Sequence, residues 1–317
     1  MLFIMLFHVD LARSDAFFGL RRMGNIGVDM FLFLSGIGLW FSWAKNPSVK
    51  RFYFRRFVRI YPAWLIIAAL FYLPKFHGGS AWSWIDLIGE LGFNWEFWLR
   101  DELNFWYIPA IMMLYLFAPP YMELIRRHPI YRWLPVVMVM WCILVQWVTP
   151  INHVVGHLEI FWSRVPIFFI GINMGEMVRR KQTVDGQGIW MVFLMFVMAL
   201  ASSIFLEQEK HGQFPLFIER MLYIPLTVTA ILILNRVFRR LPAKVNGCFR
   251  FVGGLSLECY LIHQHFVLAY IPKTLSYWPT FLLCLVITLP LAWVLQKVTQ
   301  VIQNAVEKRF QRTPTEK

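Results

Sequence analysis

GIWMVFLMFVMALASSIFL, residues 188–206, runs nineteen positions without a charged side chain, with Asp185 just before it and Glu207 just after. As a helix rising 1.5 Å per residue it covers about 29 Å, the thickness of a bilayer's hydrocarbon core. The stretch therefore predicts a membrane-spanning helix. Similar runs, bounded by charges or turn residues, recur near 1–12, 26–43, 58–74, 104–124, 133–150, 158–178, 214–235, 249–271 and 277–303.

Composition agrees with that pattern. Of 317 residues, 58% are hydrophobic and 15% charged, and the mean hydropathy is +0.54. An ordinary soluble domain carries about a quarter charged residues. The runs are too long and too uniform for barrel strands, which alternate over about 10 residues. The expected fold is an all-α polytopic membrane protein of about ten transmembrane helices. It forms a single domain over residues 1–317, with no internal repeat and no appended soluble domain. The one long connection, 75–103, carries Trp82, Trp84, Trp95 and Trp98 beside Asp86, Glu90, Glu96, Asp101 and Glu102. A connection of that length is expected to be structured or interfacial.

Lys and Arg concentrate in alternate connections, which hold 22 of them, including Arg51, Arg55, Arg56 and Arg59, against seven in the others. The positive-inside rule then places both termini in the cytoplasm. A net charge of +13 is explained by this topology and by anionic lipid headgroups, so nucleic-acid binding is not expected.

Charged groups inside spans are costly and mark functional positions. Glu159, Arg164, Glu176, Glu219, Arg220, Glu258, His263 and His265 fall in or near the runs. For Glu219 beside Arg220, a plain interhelical pair is an equal alternative. On the run 249–271, Ser256, Tyr260 and His263 share one helical stripe and Glu258 and His265 the opposite one. Counted from Arg250, His263 lies about 20 Å into the bilayer, in its outer half. A polar network joining helices is the alternative to a chemical role.

Five blocks now carry a resemblance. GVDMFLFLSGIGLWF (27–41), RFYFRRFVRIYPAWL (51–65), FWYIPAIMMLYLFAP (105–119), SRVPIFFIGINMGE (163–176) and GGLSLECYLIHQHF (253–266) resemble, in order, the blocks of the bacterial acyltransferase 3 family of membrane enzymes. The resemblance implies transfer of an acyl group, usually acetyl from acetyl-CoA, to a carbohydrate hydroxyl of a cell-surface or exported polysaccharide. It implies an essential histidine on the first helix, matched by His8, with a basic partner that would fall before Met1. The first helix is accordingly expected to be truncated in this sequence.

Chemistry gives His8 a reason of its own. A sugar hydroxyl must lose its proton as it attacks a thioester, and an imidazole titrating near neutrality is a suitable base. His263 lies at a depth where it could meet His8, and Glu258 and His263 are expected to orient or assist that base, or to donate to the thioester oxygen. Arg55, Arg56 and Arg59, at three- and four-residue spacings, suit the phosphates of CoA, or they serve as a positive-inside anchor. Asp29 is either a helix-start carboxylate or a site residue. Ser35 with Gly36 permits close helix packing or passage of the pantetheine arm. Arg164 matches a family arginine suited to an anionic sugar or an oxyanion. Trp106 and Tyr115 are acceptor-site or interfacial aromatics, and Tyr260 is a further candidate through the stripe it shares with His263.

Other chemistries find little support. Cys142, Cys248, Cys259 and Cys284 show no metal-type spacing, and no metal is expected. His153 and His157 are four apart but lack further ligands. The expected protein is thus an inner-membrane, multi-pass O-acetyltransferase-like enzyme, with acyl-CoA as donor and a glycan or lipid-linked sugar as acceptor. A transporter or exporter of a lipid-linked sugar, or a catalytically inactive relative, is the alternative. Inverted repeats would favour a transporter, and the sequence shows none.

Overall fold

The computed structural model describes residues 1–100, 102–211 and 213–312. In chain order the helices are α1 (Leu2–His8), α2 (Phe18–Arg22), α3 (Ile26–Lys45), α4 (Val49–Tyr72), α5 (Ala81–Phe93), α6 (Trp95–Arg100), α7 (Tyr107–Arg127) and α8 (Leu134–Trp147). They continue as α9 (Thr149–Val155), α10 (Glu159–Trp162), α11 (Val165–Arg179), α12 (Gly186–Glu209), α13 (Leu216–Phe238), α14 (Ala243–Gly254), α15 (Ser256–Ile262) and α16 (Tyr277–Arg312). No strand occurs among the described residues. The chain divides into two compact units, Met1–Pro47 with Phe117–Arg250, and Ser48–Leu116 with Phe251–Lys317.

In the first unit, glycines set how closely helices approach. A Cβ on Gly36 would stand 2.4 Å from the Phe168 carbonyl oxygen, and one on Gly171 2.2 Å from the Phe33 carbonyl oxygen. α3 and α11 therefore touch backbone to backbone, as small residues allow between membrane helices. Of the two uses expected for the Ser35–Gly36 pair, the geometry supplies close packing. Gly24 and Gly27 do the same for α1, with Cβ positions 2.3 Å from the Phe3 carbonyl oxygen and 2.8 Å from Ile4 Cγ1. Met23, Ile26 and Met30 pack on Ala199, Tyr223, Leu226 and Ala230, joining the start of α3 to α12 and α13.

In the second unit, the expected connection holds two helices, α5 and α6, while Asp101 lies outside the described residues. Ser80 and Ser83 form a reciprocal capping box that starts α5. Asn94 ends it in the left-handed region, at φ 48°, which Asn tolerates better than most residues. Its side chain accepts from Tyr72 Oη at 2.9 Å and donates to the Asn104 carbonyl at 2.7 Å. Trp64, fully buried on α4, donates from Nε1 to the Leu91 carbonyl at 3.0 Å. α16 lies along α4, with Phe54 and Phe310 stacked at 3.8 Å.

Seven helices among the described residues are long and apolar enough to cross a membrane, and eight if one bent pair counts as a span. The protein is thus an all-α, multi-pass membrane protein. Three expected spans take other forms. Residues 1–12 contain only the seven-residue α1, because the backbone turns extended at Val9 just before Asp10. The run 158–178 belongs to the pair Thr149–Trp162 and Val165–Arg179, bent by 44°. Pro166, in the first turn of α11, has no amide to continue the preceding helix. The run 249–271 breaks after Gly254 and ends in a π turn over His263–Val267. The Gly254 carbonyl points instead at Arg59 Nη2 (3.5 Å) and Gln296 Nε2 (2.7 Å).

Candidate active site

Polar groups gather in both units. In the first, Arg164 sits at the break between α10 and α11 and is almost wholly buried. Its Nη1 donates to the Ile160 carbonyl at 3.1 Å, its Nη2 donates to Asn25 Oδ1 at 2.9 Å, and its Nε lies 3.7 Å from Asp29 Oδ1. One guanidinium thus stabilises the loose end of α10 and ties it to the start of α3. Asp29 faces this arginine as well as the helix dipole, and its Oδ2 is buried without a hydrogen-bond partner. Beside it, Arg220 Nη1 pairs with Glu159 and lies 3.4 Å from Ser163 Oγ. The buried Arg164 guanidinium, the partly buried Arg220 and two carboxylates therefore converge where α3, α10, α11 and α13 meet. This centre can hold an anionic group or stabilise developing negative charge.

Glu219 does not pair with its neighbour Arg220. It joins Glu207 and His211, and ligand atoms of these three lie within 4.8 Å of one another. A divalent ion could be held at that spacing, but Glu207 is already engaged. Its carboxylate takes Arg22 Nε at 3.0 Å, His211 Nδ1 at 2.8 Å and Tyr223 Oη at 3.2 Å. A guanidinium so close repels a second cation, so the cluster is better described as an ion-paired network joining α2, α12 and α13. His8 ends α1, half-buried, with its ring 5.2 Å from that of Phe7.

In the second unit, α15 carries Glu258 and Tyr260, and the π turn that follows carries His263 and His265. Glu258 is fully buried, and Arg59 Nη1 lies 3.9 Å from its Oε1. Neither carboxylate oxygen takes a hydrogen bond. The carboxylate therefore makes no hydrogen bond to His263. His263, also fully buried, has Nδ1 at 2.9 Å from the Cys259 carbonyl and 3.0 Å from that of Tyr260. Donation there assigns the proton to Nδ1 and the lone pair to Nε2, the form a general base requires. Tyr260 Oη accepts from the Tyr107 amide at 3.1 Å.

The three arginines of α4 have different surroundings. Arg55 is exposed, whereas Arg56 lies between the rings of Phe52 and Tyr115, at 5.8 and 5.7 Å. The Nε of Arg56 is buried without an acceptor. Arg59, by contrast, reaches Glu258 and the Gly254 carbonyl.

The fold gives two further residues a setting that the sequence did not show. His265 stands against Phe71 at 4.9 Å and Phe105 at 4.5 Å, and Phe105 holds a strained φ of 51° one residue before Trp106. Glu90, one acid among several in the connection, is buried and lines a cavity of about 470 Å³. In the first unit a further cavity, of about 480 Å³, is lined by Arg236, Arg239 and Arg240.

The family profile described as an acyltransferase domain, that of acyltransferase 3, matches residues 1–297. The chain belongs to the acyltransferase 3 family. It is also similar to acyltransferase MdmB of Streptomyces mycarofaciens, at 29% identity over 140 residues, 40% of this chain and 35% of that protein. The match thus spans about a third of that relative's length. No solved structure matches this acyltransferase 3 chain.

Proposed function

We propose that this protein is an O-acyltransferase of the inner membrane, with both termini in the cytoplasm, and that it moves an acetyl group from acetyl-CoA to a hydroxyl of an envelope or exported polysaccharide. The observation that carries this reading is the family match, which extends over residues 1–297.

Arg55 and Arg56, near the start of α4, receive the CoA phosphates; the buried, unpaired Nε of Arg56 supports that assignment. His8 takes the proton of the acceptor hydroxyl as its oxygen attacks the thioester carbonyl carbon. The C–O bond forms, the C–S bond breaks, and the imidazolium returns the proton to the departing CoA thiolate. Arg164, with Asp29 holding its far edge, offers positive charge to the oxyanion of the tetrahedral intermediate. His263 is a second candidate base, in the second unit. Glu258 holds Arg59 and acts as a positioning residue.

The test is incorporation of labelled acetyl from acetyl-CoA into the glycan fraction of membranes carrying the full chain. Label that appears with the wild type and is lost in His8→Ala supports the reading. Undiminished label in His8→Ala removes His8 from the mechanism, and no label above that of membranes lacking the chain overturns the reading.

A further inference from the structure

The cavity of about 470 Å³ beside Glu90 lies at the end of α4 remote from Arg55, about 30 Å away by helix rise. It is lined by Asp86, Glu90, Glu96 and Glu102, with Phe71 and Lys75 on the α4 side. Acidic side chains alone make no site. Here a second observation stands beside them: Glu90 is 4% exposed, and its Oε2 is buried without a hydrogen-bond partner. Its Oε1 accepts from the Glu96 amide at 3.0 Å, and the Tyr72 hydroxyl that faces the carboxylate spends its one hydrogen on Asn94 Oδ1, which leaves Oε2 in need of a donor.

The cavity's charges narrow what can supply that donor. Arg100 engages Asp86 at 3.4 Å and Glu96 at 3.2 Å. The Lys75 ammonium lies 3.3 Å from the centre of the Phe71 ring. With both cations counted the cavity remains net negative, so a uronic acid or phosphate would be repelled. The position of Lys75 also shows that the wall accepts an ammonium against an aromatic face. Phe71 in turn touches His265, 4.9 Å away, so the cavity borders the π turn that follows α15.

We propose that the Glu90 cavity binds the acceptor, and that this acceptor is a sugar bearing a protonated amine. Its role as acceptor rests on the acyltransferase reading above; the binding chemistry does not. Hydroxyl and ammonium donors satisfy Glu90 Oε2, and the sugar's amine adds attraction to Glu96 and Glu102.

The test is equilibrium binding to the purified full chain, without acyl donor, of three tetrasaccharides: glucosamine, N-acetylglucosamine and galacturonate. The glucosamine tetramer is expected to bind at least tenfold tighter than its acetylated counterpart, and galacturonate not at all. Glu90→Gln should weaken glucosamine binding at least fivefold. Glu102→Lys, at an exposed position where folding is not at stake, should weaken it similarly and allow galacturonate to bind. Equal affinity for the three sugars, unchanged glucosamine binding in both variants, or binding of calcium or magnesium with no sugar bound would overturn the proposal. Normal sugar binding with no acetyl transfer would instead count against the acyltransferase reading and leave this site standing.

Discussion

Arg164 Nη2 donates to Asn25 Oδ1 at 2.9 Å, joining the break between α10 and α11 to the residue that precedes α3. The same guanidinium satisfies the Ile160 carbonyl and faces Asp29, so it serves both packing and charge. A lysine ammonium is a point charge and cannot span those three partners.

Replacing Arg164 should therefore separate fold from chemistry. Arg164→Ala strands the Asp29 carboxylate and is expected to cost about 3–5 kcal/mol, the scale for breaking a buried pair. Arg164→Lys should remain folded but lose acyl transfer at least tenfold. Thermal unfolding in detergent alongside acetyl transfer distinguishes the two, and full activity in the lysine variant would remove Arg164 from the site.

The contact between α3 and α11 gives an internal control. Gly36→Ala must push its methyl against the Phe168 carbonyl oxygen, whereas a Cβ at Gly38 meets nothing within 4 Å. Gly36→Ala should cost about 1–3 kcal/mol by overpacking, and Gly38→Ala should be neutral or mildly stabilising. Melting temperatures of the two variants decide it, and equal values would contradict the packing described.

Arg56 tests whether the cationic edge of α4 recognises phosphate or merely anchors. Arg55→Lys with Arg56→Lys keeps the charge but loses the planar fork and its stacking on Phe52 and Tyr115. The expected result is a rise of at least tenfold in KM for acetyl-CoA with kcat less affected. An unchanged KM would make the pair a positive-inside anchor.

Glu90, outside the membrane-spanning helices, carries a pH signature. Burial pushes its carboxyl up to about 7, with Tyr72 of α4 and Glu96 and Arg100 of α6 facing it. Between about pH 4.5 and 7 the folded chain holds a proton that the unfolded chain releases, so raising the pH through this window weakens the fold. The wild type should lose more melting temperature than Glu90→Gln between pH 5 and pH 8. Parallel losses in the two proteins would show that Glu90 does not titrate there.

The helical, membrane-spanning class was legible because a run such as 188–206 leaves few alternatives in hydropathy alone, and it became α12 with little change of boundary. Residues 249–271 misled for a physical reason: hydropathy does not register a carbonyl captured by Arg59 and Gln296, which breaks that run after Gly254. The π turn likewise alters the stripe on which His263 and His265 were placed. Arg164 and Asp29 were visible as charges in apolar surroundings, but their partnership depends on glycine contacts between α3 and α11. Glu90 was hidden because one acid among five in a connection has no pattern to mark it; only the fold buries it.

Acyl transfer is expected to depend on His8. Its most direct measurement is CoA release from acetyl-CoA by membranes carrying the wild type or His8→Ala, with the cell's own glycans present. Loss of a general base costs about 100-fold or more. Release by the wild type and a fall of that size in the variant are expected; equal rates in the two would exclude His8 as the base.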